Sequence, residues 1–410
     1  MRVAVVTYAA RKIGGTETYI EGILPALERA GHQVAVVFES DDDLTRPPIH
    51  VPSNTQCWSI QDHGPDVAVM RLVSWTPNII YMHGLSSPDL EARIQRIAPS
   101  VFYAHNFYGQ CISGSKCFRR PAHTICTRTF GSACLAHYLP RGCGGRNPLQ
   151  MLRDFSVQSE RLKLLHLYTR VLTNSDYVVS ELARHGIHAE NIPLFASKAP
   201  AEPPALGESS LPAGLDPWRL LFLGRADSLK GGDLLLKSLP FVAQSIDRPF
   251  SVTFAGSGPA LPKWKQMAEK IRCDRISIEF LGWTSRAEEL LAGSHLLVLP
   301  SICPETFGLG GIEAGTFAVP AVAFANGGIP EWLRDGENGH LAKTNPPTAK
   351  TLAEAIIQAL SDQNHYLRLR AGALIRAREF SLARHTNSLL TIFEQLVHPA
   401  ALTATQVLAE

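Results

Sequence analysis

Two carboxylates, Glu305 and Glu313, stand with seven residues between them in a run, Ser301 to Pro320, that holds no other charge. The spacing predicts a helix over Leu309–Phe317, because Leu309, Ile312 and Thr316 stack on one face and Glu313 shares that face. A buried carboxylate is costly unless something hydrogen-bonds it. Either a neighbouring Lys or Arg satisfies Glu313, or the hydroxyls of a bound sugar or ribose do so. Glu305 lies in the preceding loop, followed by Thr306, Phe307 and Gly308, where a helix start presents unpaired amides to an anion. It is either an ordinary capping residue or a second hydroxyl acceptor. On the second reading of each, the stretch is a phosphate cradle flanked by two hydroxyl acceptors, as a nucleotide-sugar would need.

A second set of candidates is cationic. Arg225 and Lys230, in Gly-Arg-Ala-Asp-Ser-Leu-Lys-Gly-Gly, follow a short apolar strand. A guanidinium fork and an ammonium there suit a diphosphate. The bland alternative is a pair of surface cations bonded to Asp227 or Asp233. His83 and His105 each follow an apolar run directly, at the carboxyl end where open parallel sheets place their ligands. Each either orients a hydroxyl or carries a proton, or settles as a hydrogen-bonded loop residue. Gly14-Gly15 either makes a tight turn or lets backbone approach a ligand, and no full Gly-x-Gly-x-x-Gly accompanies it.

Those residues need scaffolds. Val3–Thr7, a glycine loop, an amphipathic helix bearing Tyr19, Ile23, Leu24 and Leu27, and Gln33–Phe38 form a strand, loop, helix, strand unit that requires parallel pairing. Further buried strands are predicted at 66–70, 78–82, 101–104 and 171–174. After a proline-rich linker, Ser197 to Pro217, a second series runs at 219–224, 251–255, 276–280, 296–299 and 321–324. Two such series in tandem predict two α/β, Rossmann-like domains facing a cleft. Leu389, Ile392, Phe393, Leu396 and Val397 predict an amphipathic terminal helix, with a frayed tail past Pro399.

Glu-x7-Glu after Leu-Val-Leu-Pro-Ser, with Phe-Gly-Leu between the acids, resembles the signature of retaining GT-B glycosyltransferases of family 4. The Gly-Arg and Lys-Gly pattern at Arg225 and Lys230, the Gly-Gly-x-Glu loop at Gly14 to Glu17, Phe280-Leu-Gly-Trp283 and Gly327-Gly-Ile-Pro-Glu-Trp extend the likeness from Val3 to Leu396, in order. It implies the GT-B fold, with residues 1–200 as an acceptor-side domain, 201–380 as the nucleotide-sugar domain, and 381–410 as a helix crossing back to the first. It also implies transfer of a sugar, with retention, from a nucleoside-diphosphate sugar to a hydroxyl acceptor. The roles it implies are Glu313 on the ribose, Glu305 on sugar hydroxyls, and His105 orienting donor sugar and acceptor from the opposite domain. Arg225, Lys230 and the amides around Gly308 and Leu309 would hold the diphosphate. Gly15 and Phe307 complete the expected donor site. The leaving phosphate would itself deprotonate the acceptor, with no metal and no cofactor beyond the donor. Two rivals on the same fold are a nucleotide-sugar-binding protein without activity and a sugar-nucleotide epimerase or phosphorylase.

The likeness departs at an insertion, about 106–150, holding Cys111, Cys117, Cys126, Cys134 and Cys143, five of the eight cysteines. With no Cys-x-x-Cys, it reads either as buried thiols packing a loop or as a zinc site on Cys126, Cys134 and Cys143 with His123, His137 or another cysteine. From Cys111 to Arg170, ten Lys or Arg face only Asp154 and Glu160. That excess is either a solvated face or a patch for anionic lipid headgroups or a phosphorylated acceptor; among the expected acceptors, a glycan, a lipid-linked or a small molecule, it points to a lipid-linked or envelope polysaccharide one. At 410 residues with a net charge of +2, the chain as a whole lacks nucleic-acid character. No signal peptide or membrane-length apolar run is evident, so a cytoplasmic location is expected, with peripheral contact at the inner face of the membrane as an elaboration.

Overall fold

The computed structural model describes residues 1–208, 211–214, 216–344 and 346–398; the expected tail past Pro399 lies outside them. The chain divides into two compact units. The first comprises Met1–Gly114, Arg128–Ser197 and the chain from Leu382 on, and the second Ser115–Thr127 and Lys198–Ser381.

In chain order the strands of the first unit begin with Arg2–Ala9 (β1), Gln33–Ser40 (β2), Gln56–Ser59 (β3), Ile79–Met82 (β4) and Ser100–Ala104 (β5). A hairpin of Cys117–Phe118 (β6) and Thr124–Ile125 (β7) follows and groups with the second unit. Arg170–Thr173 (β8) and Glu190–Asn191 (β9) complete a seven-stranded parallel sheet ordered β3-β2-β1-β4-β5-β8-β9. Its central strands are buried on both faces, which is why β1, β4 and β5 read as unbroken apolar runs.

The expected strand at 66–70 is instead part of a helix, Pro65–Trp75. Pro65 sits at its first turn after Gly64, whose φ of +80° turns the chain, and only Ala68 and Leu72, one helical turn apart, are buried. Met70 and Val73 are exposed, so burial follows the helical period and not the continuous run. Neither outer member of the sheet, β3 or β9, is among the predicted strands; β3 offers Trp58 and Ser59 to the core and leaves Gln56 and Cys57 outside.

The terminal helix Leu382–Val397 belongs to this first unit and packs on the helix Gly15–Arg29. Leu389, Ile392 and Phe393 are its buried face, and the Phe393 ring meets Tyr81 edge-on at 5.3 Å.

The second unit is a six-stranded parallel sheet of Trp218–Leu223 (β10), Phe250–Ala255 (β11), Ile276–Gly282 (β12), Leu296–Leu299 (β13), Ala321–Phe324 (β14) and Gly339–Ala342 (β15), ordered β12-β11-β10-β13-β14-β15. Each strand expected here forms within two residues of its predicted bounds, and β15 is additional. Parallel pairing needs crossover helices, and their apolar faces close a core around Phe222, Phe254, Trp264 and Tyr366.

Candidate functional site

In the second unit the chemistry gathers where β10 and β13 end. Arg225 and Lys230 follow β10, and Ser301 and Glu305 follow β13. Lys230 Nζ lies 2.5 Å from Glu305 Oε1, and the Ser301 hydroxyl donates to the same oxygen. Asp227 does not pair with Lys230; it caps the next turn, accepting from the Leu229 amide. Asp233 pairs with Lys237. The bland reading of these cations is therefore not what forms. The Arg225 side chain is exposed, with no ion-pair or hydrogen-bond partner among the described residues.

Burial by itself would raise the Glu305 pKa, but Lys230, Ser301 and Arg225 outweigh it and the carboxyl titrates below its ordinary range. The same pairing overcomes burial in Lys230 and raises its pKa. The site at neutral pH is thus a carboxylate against an ammonium. Cys303, between Ser301 and Glu305 in the loop, is pushed up to about 12 by burial and by Glu305, so it stays a thiol.

Two glycines shape this loop. Gly327 has φ +67°, and a Cβ there would lie 2.1 Å from the Glu305 carbonyl oxygen, which also accepts from the Gly328 amide at 2.7 Å. The Glu305 backbone is pinned by that close approach. Gly308, at φ +86°, is the N-cap of the helix Leu309–Thr316, and its missing Cβ leaves room for Ile329. Phe307 is 1% exposed, its ring against Phe380 and its carbonyl accepting from Trp332 Nε1 at 2.7 Å. Its side chain faces the core, leaving only its backbone to a ligand, whereas Leu309 is half-buried.

Glu313 lies on the buried face of that helix, 4% exposed, and Lys198 Nζ reaches its Oε1 at 2.6 Å. Thr316 Oγ1 donates to the Lys198 carbonyl at 2.8 Å, which fixes the linker beside the helix. The ammonium alternative is the one realised for Glu313. Lys198 sits in an aperiodic linker with no motif around it, so the sequence carries no local signal for this pairing.

In the first unit His83 follows β4 and His105 follows β5, and the two rings meet, His83 Nδ1 to His105 Nε2, at 2.9 Å. They stand among Tyr19, Tyr81, Tyr103 and His385. His385 Nδ1 lies 2.8 Å from the Pro193 carbonyl, which only accepts, so Nδ1 carries the proton and Nε2 is bare. Tyr19 must then donate to His385 Nε2 at 2.7 Å, and Tyr81 to Tyr19 at 2.5 Å. Burial, helped by His385, lowers the His105 pKa to about 3, and burial lowers His385 to about 4. All three histidines are neutral at physiological pH, since His83 is lowered by the same burial and by its neighbours. Gly15 opens the helix Gly15–Arg29, with open space where its Cβ would be, so the turn does not itself require glycine there. Glu17 turns back to accept from the Gly14 amide at 2.7 Å. The tyrosines and His385 carry no local motif, being separated by up to 366 residues, and only the folded sheet assembles them.

Of the insertion's cysteines, Cys111, Cys117 and Cys143 are buried and Cys126 and Cys134 half-buried. Among the described residues no three His, Cys, Asp or Glu side chains are grouped to hold a metal ion. No helix of the described residues is long and apolar enough to cross a membrane.

Two family models match the chain in tandem. One, described as Glycosyltransferase Family 4, covers residues 13–195, and the other, Glycosyl transferases group 1, covers 208–375. Among curated proteins, a D-inositol 3-phosphate glycosyltransferase 1 of Catenulispora acidiphila is 28% identical over 44% of this chain and 45% of its own. A D-inositol 3-phosphate glycosyltransferase of Nocardioides sp. is 30% identical over 43% and 41%. The chain thus spans less than half the length of the curated relatives it matches. Among solved structures, Anabaena HepE in complex with UDP and glucose superposes with a TM-score of 0.66 at 18% identity, over 97% of this chain and all of that one. The sucrose-phosphate synthase of Thermosynechococcus elongatus gives 0.69 at 17% identity, over 98% of this chain and all of its own. Both are likenesses of fold.

Proposed function

We propose that this chain, which belongs to the group 1, family 4 glycosyltransferases of GT-B fold, moves a sugar from a nucleoside-diphosphate sugar to a hydroxyl acceptor with retention at the anomeric carbon. The observation that carries the reading is the set at the carboxyl edge of the second sheet: the Lys230–Glu305 pair, an Arg225 side chain with no partner among the described residues, and the helix start at Gly308.

Breaking the bond from sugar carbon to phosphate oxygen builds negative charge on the departing diphosphate. Arg225, Lys230 and the amides at Gly308 and Leu309 stabilise that charge, and they act without reorganising because Lys230 is already held in place. Glu305 accepts from hydroxyls of the transferred sugar while keeping Lys230 as a partner. Glu313 accepts from the ribose, whose hydroxyls replace or share the Lys198 ammonium. His105, neutral and bonded to His83, orients the donor sugar and the acceptor through a hydrogen bond and not through charge. The acceptor oxygen bonds to the anomeric carbon on the face the phosphate leaves, and its proton passes to that phosphate. Neither a metal nor a further cofactor enters this scheme.

The solved neighbours named with UDP make uridine the first base to test, and the relatives named for inositol 3-phosphate make a phosphorylated polyol the first acceptor. The wider reading is a cell-envelope or exopolysaccharide glycan, or a lipid-linked intermediate, made on the cytoplasmic side. For a lipid-linked acceptor the exposed Arg119, Arg120 and Arg128 would meet acidic headgroups. Neutralising all three abolishes binding to acidic liposomes on that reading, and unchanged binding removes the lipid arm.

The deciding experiment is calorimetric titration of UDP, GDP, ADP and their sugars into the wild type, Glu313→Ala and Arg225→Ala. Micromolar binding of one nucleotide, lost in both variants, is the expected result. A folded protein that binds none of them overturns the reading. Release of free nucleoside diphosphate only when acceptor is present separates a transferase from an epimerase.

A further inference from the structure

The second unit holds a cavity at the opposite edge of its sheet, where the strands begin. About 430 Å³ in volume, it is lined by Arg219 of β10, His295 just before β13, Arg370 and Phe317, with linker residues including Glu202 and Asp216. The catalytic reading above uses none of these residues, which lie at the amino ends of strands whose carboxyl ends carry Arg225 and Ser301.

His295 is 3% exposed, and its Nδ1 lies 2.9 Å from the backbone nitrogen of Arg219. An amide nitrogen only donates, so Nδ1 is the bare corner of the ring and the proton is on Nε2. That N–H has no acceptor among the described residues. Arg370, 6% exposed, gives one amino group to the Ala205 carbonyl at 2.7 Å and the other to the Tyr366 hydroxyl at 3.4 Å, while its Nε is buried without a partner. Arg219 bonds the Gly293 carbonyl and has no acidic partner among the described residues.

Buried donors without acceptors are rare in folded proteins and call for a missing group. Here the buried unpaired donor is Arg370 Nε, and the His295 N–H and the exposed Arg219 guanidinium line the same cavity. Burial, then Arg219, Arg370 and Arg248, holds the His295 pKa at about 3, so its N–H stays neutral and the positive field comes from the arginines. Glu202 and Asp216 are exposed, so acids stand where solvent reaches the lining and disfavour a ligand with charge spread over its whole length.

We propose that this cavity is a second ligand site, separate from the sugar-donor site, which takes a small molecule by a single oxyanion group, phosphate or carboxylate, held by His295 Nε2, Arg370 and Arg219. The volume exceeds what a bare ion needs and leaves space for a compact uncharged or cationic body. Because the linker after Lys198 supplies part of the lining, occupancy also ties that linker to the strand ends.

The test uses the full chain with Arg225→Ala and Lys230→Ala, so that the donor site does not itself collect phosphate. Inorganic phosphate and acetate are titrated into this protein by calorimetry. Saturable binding at one site is expected, weakened about tenfold by Arg219→Gln and similarly by His295→Asn. The asparagine keeps an acceptor for the Arg219 amide and removes the N–H that faces the ligand. Tighter phosphate than acetate assigns a phosphate ester, and the reverse a carboxylate. No saturable binding of either anion overturns the site, as does binding that both substitutions leave unchanged. Arg219 is exposed, so its variant decides the matter even if His295→Asn does not fold.

Discussion

Lys230 and Glu305 are 75 residues apart in the chain and 2.5 Å apart in the fold, brought together by strands β10 and β13, which are hydrogen-bonded neighbours. The two side chains are 30% and 18% exposed, so the pair is neither a surface bridge nor a fully buried one. Each holds the other in its charged form, and the same ammonium is the one proposed to receive the donor's diphosphate.

Replacing Lys230 by Met leaves Glu305 with burial less opposed, and its pKa rises. The expected loss of stability is about 1–3 kcal/mol, below the figure for a fully buried pair because solvent still reaches the site. Chemical denaturation measures it. The double variant Lys230→Met, Glu305→Gln recovers most of that stability without recovering nucleotide binding. Recovery of binding as well would show that the charges serve the fold alone.

Gly327→Ala places a methyl group against the Glu305 carbonyl in a backbone conformation unsuited to it. The loop must move, at a cost of roughly 1–3 kcal/mol for the strained backbone alone. Because the loop carries Glu305, donor affinity falls with stability. A variant as tight-binding as the wild type would mean that the Glu305 loop does not touch the donor.

His385 is 3% exposed and titrates at about 4, against about 6.5 for an unperturbed histidine. The unfolded chain therefore binds one more proton than the folded one between those values. Stability from this group is complete above pH 6.5 and falls as pH drops toward 4, by about 1.4 kcal/mol per unit. Substituting Gln removes that slope. Stability curves of wild type and His385→Gln that run parallel between pH 4 and 6.5 would contradict the assignment.

His83 acts on the proposed reaction only through His105. His83→Ala is expected to lower turnover with little change in donor affinity, and His83→Asn, which can still bond the His105 ring, to restore part of it. Since the His105 pKa is about 3, neither protein shows an acid limb from this ring between pH 5 and 8. A break near pH 6.5 that His105→Gln abolishes would assign it a charged role.

The division between what sequence and structure each supplied follows from the range of the forces involved. Strands such as β4, β5 and β13 and the helix from Leu309 were legible because apolar periodicity and glycine placement act over a few residues. The stretch 66–70 was misread because a short apolar run suits a strand or a helix equally, and only the packing of Ala68 and Leu72 chose between them. The carboxylates Glu305 and Glu313 could be found from spacing in one uncharged run. Their partners Lys230 and Lys198 could not be assigned, because which cation reaches a carboxylate depends on strand order and linker path. The direction of the protons from Tyr81 through Tyr19 to His385 was set by a single carbonyl, that of Pro193, 192 residues from the histidine it fixes. By itself the sequence determined which groups are present and which local elements carry them. Only the tertiary structure decided which of them pair, because burial, and with it the strength and sign of each electrostatic interaction, exists only once the sheets have closed.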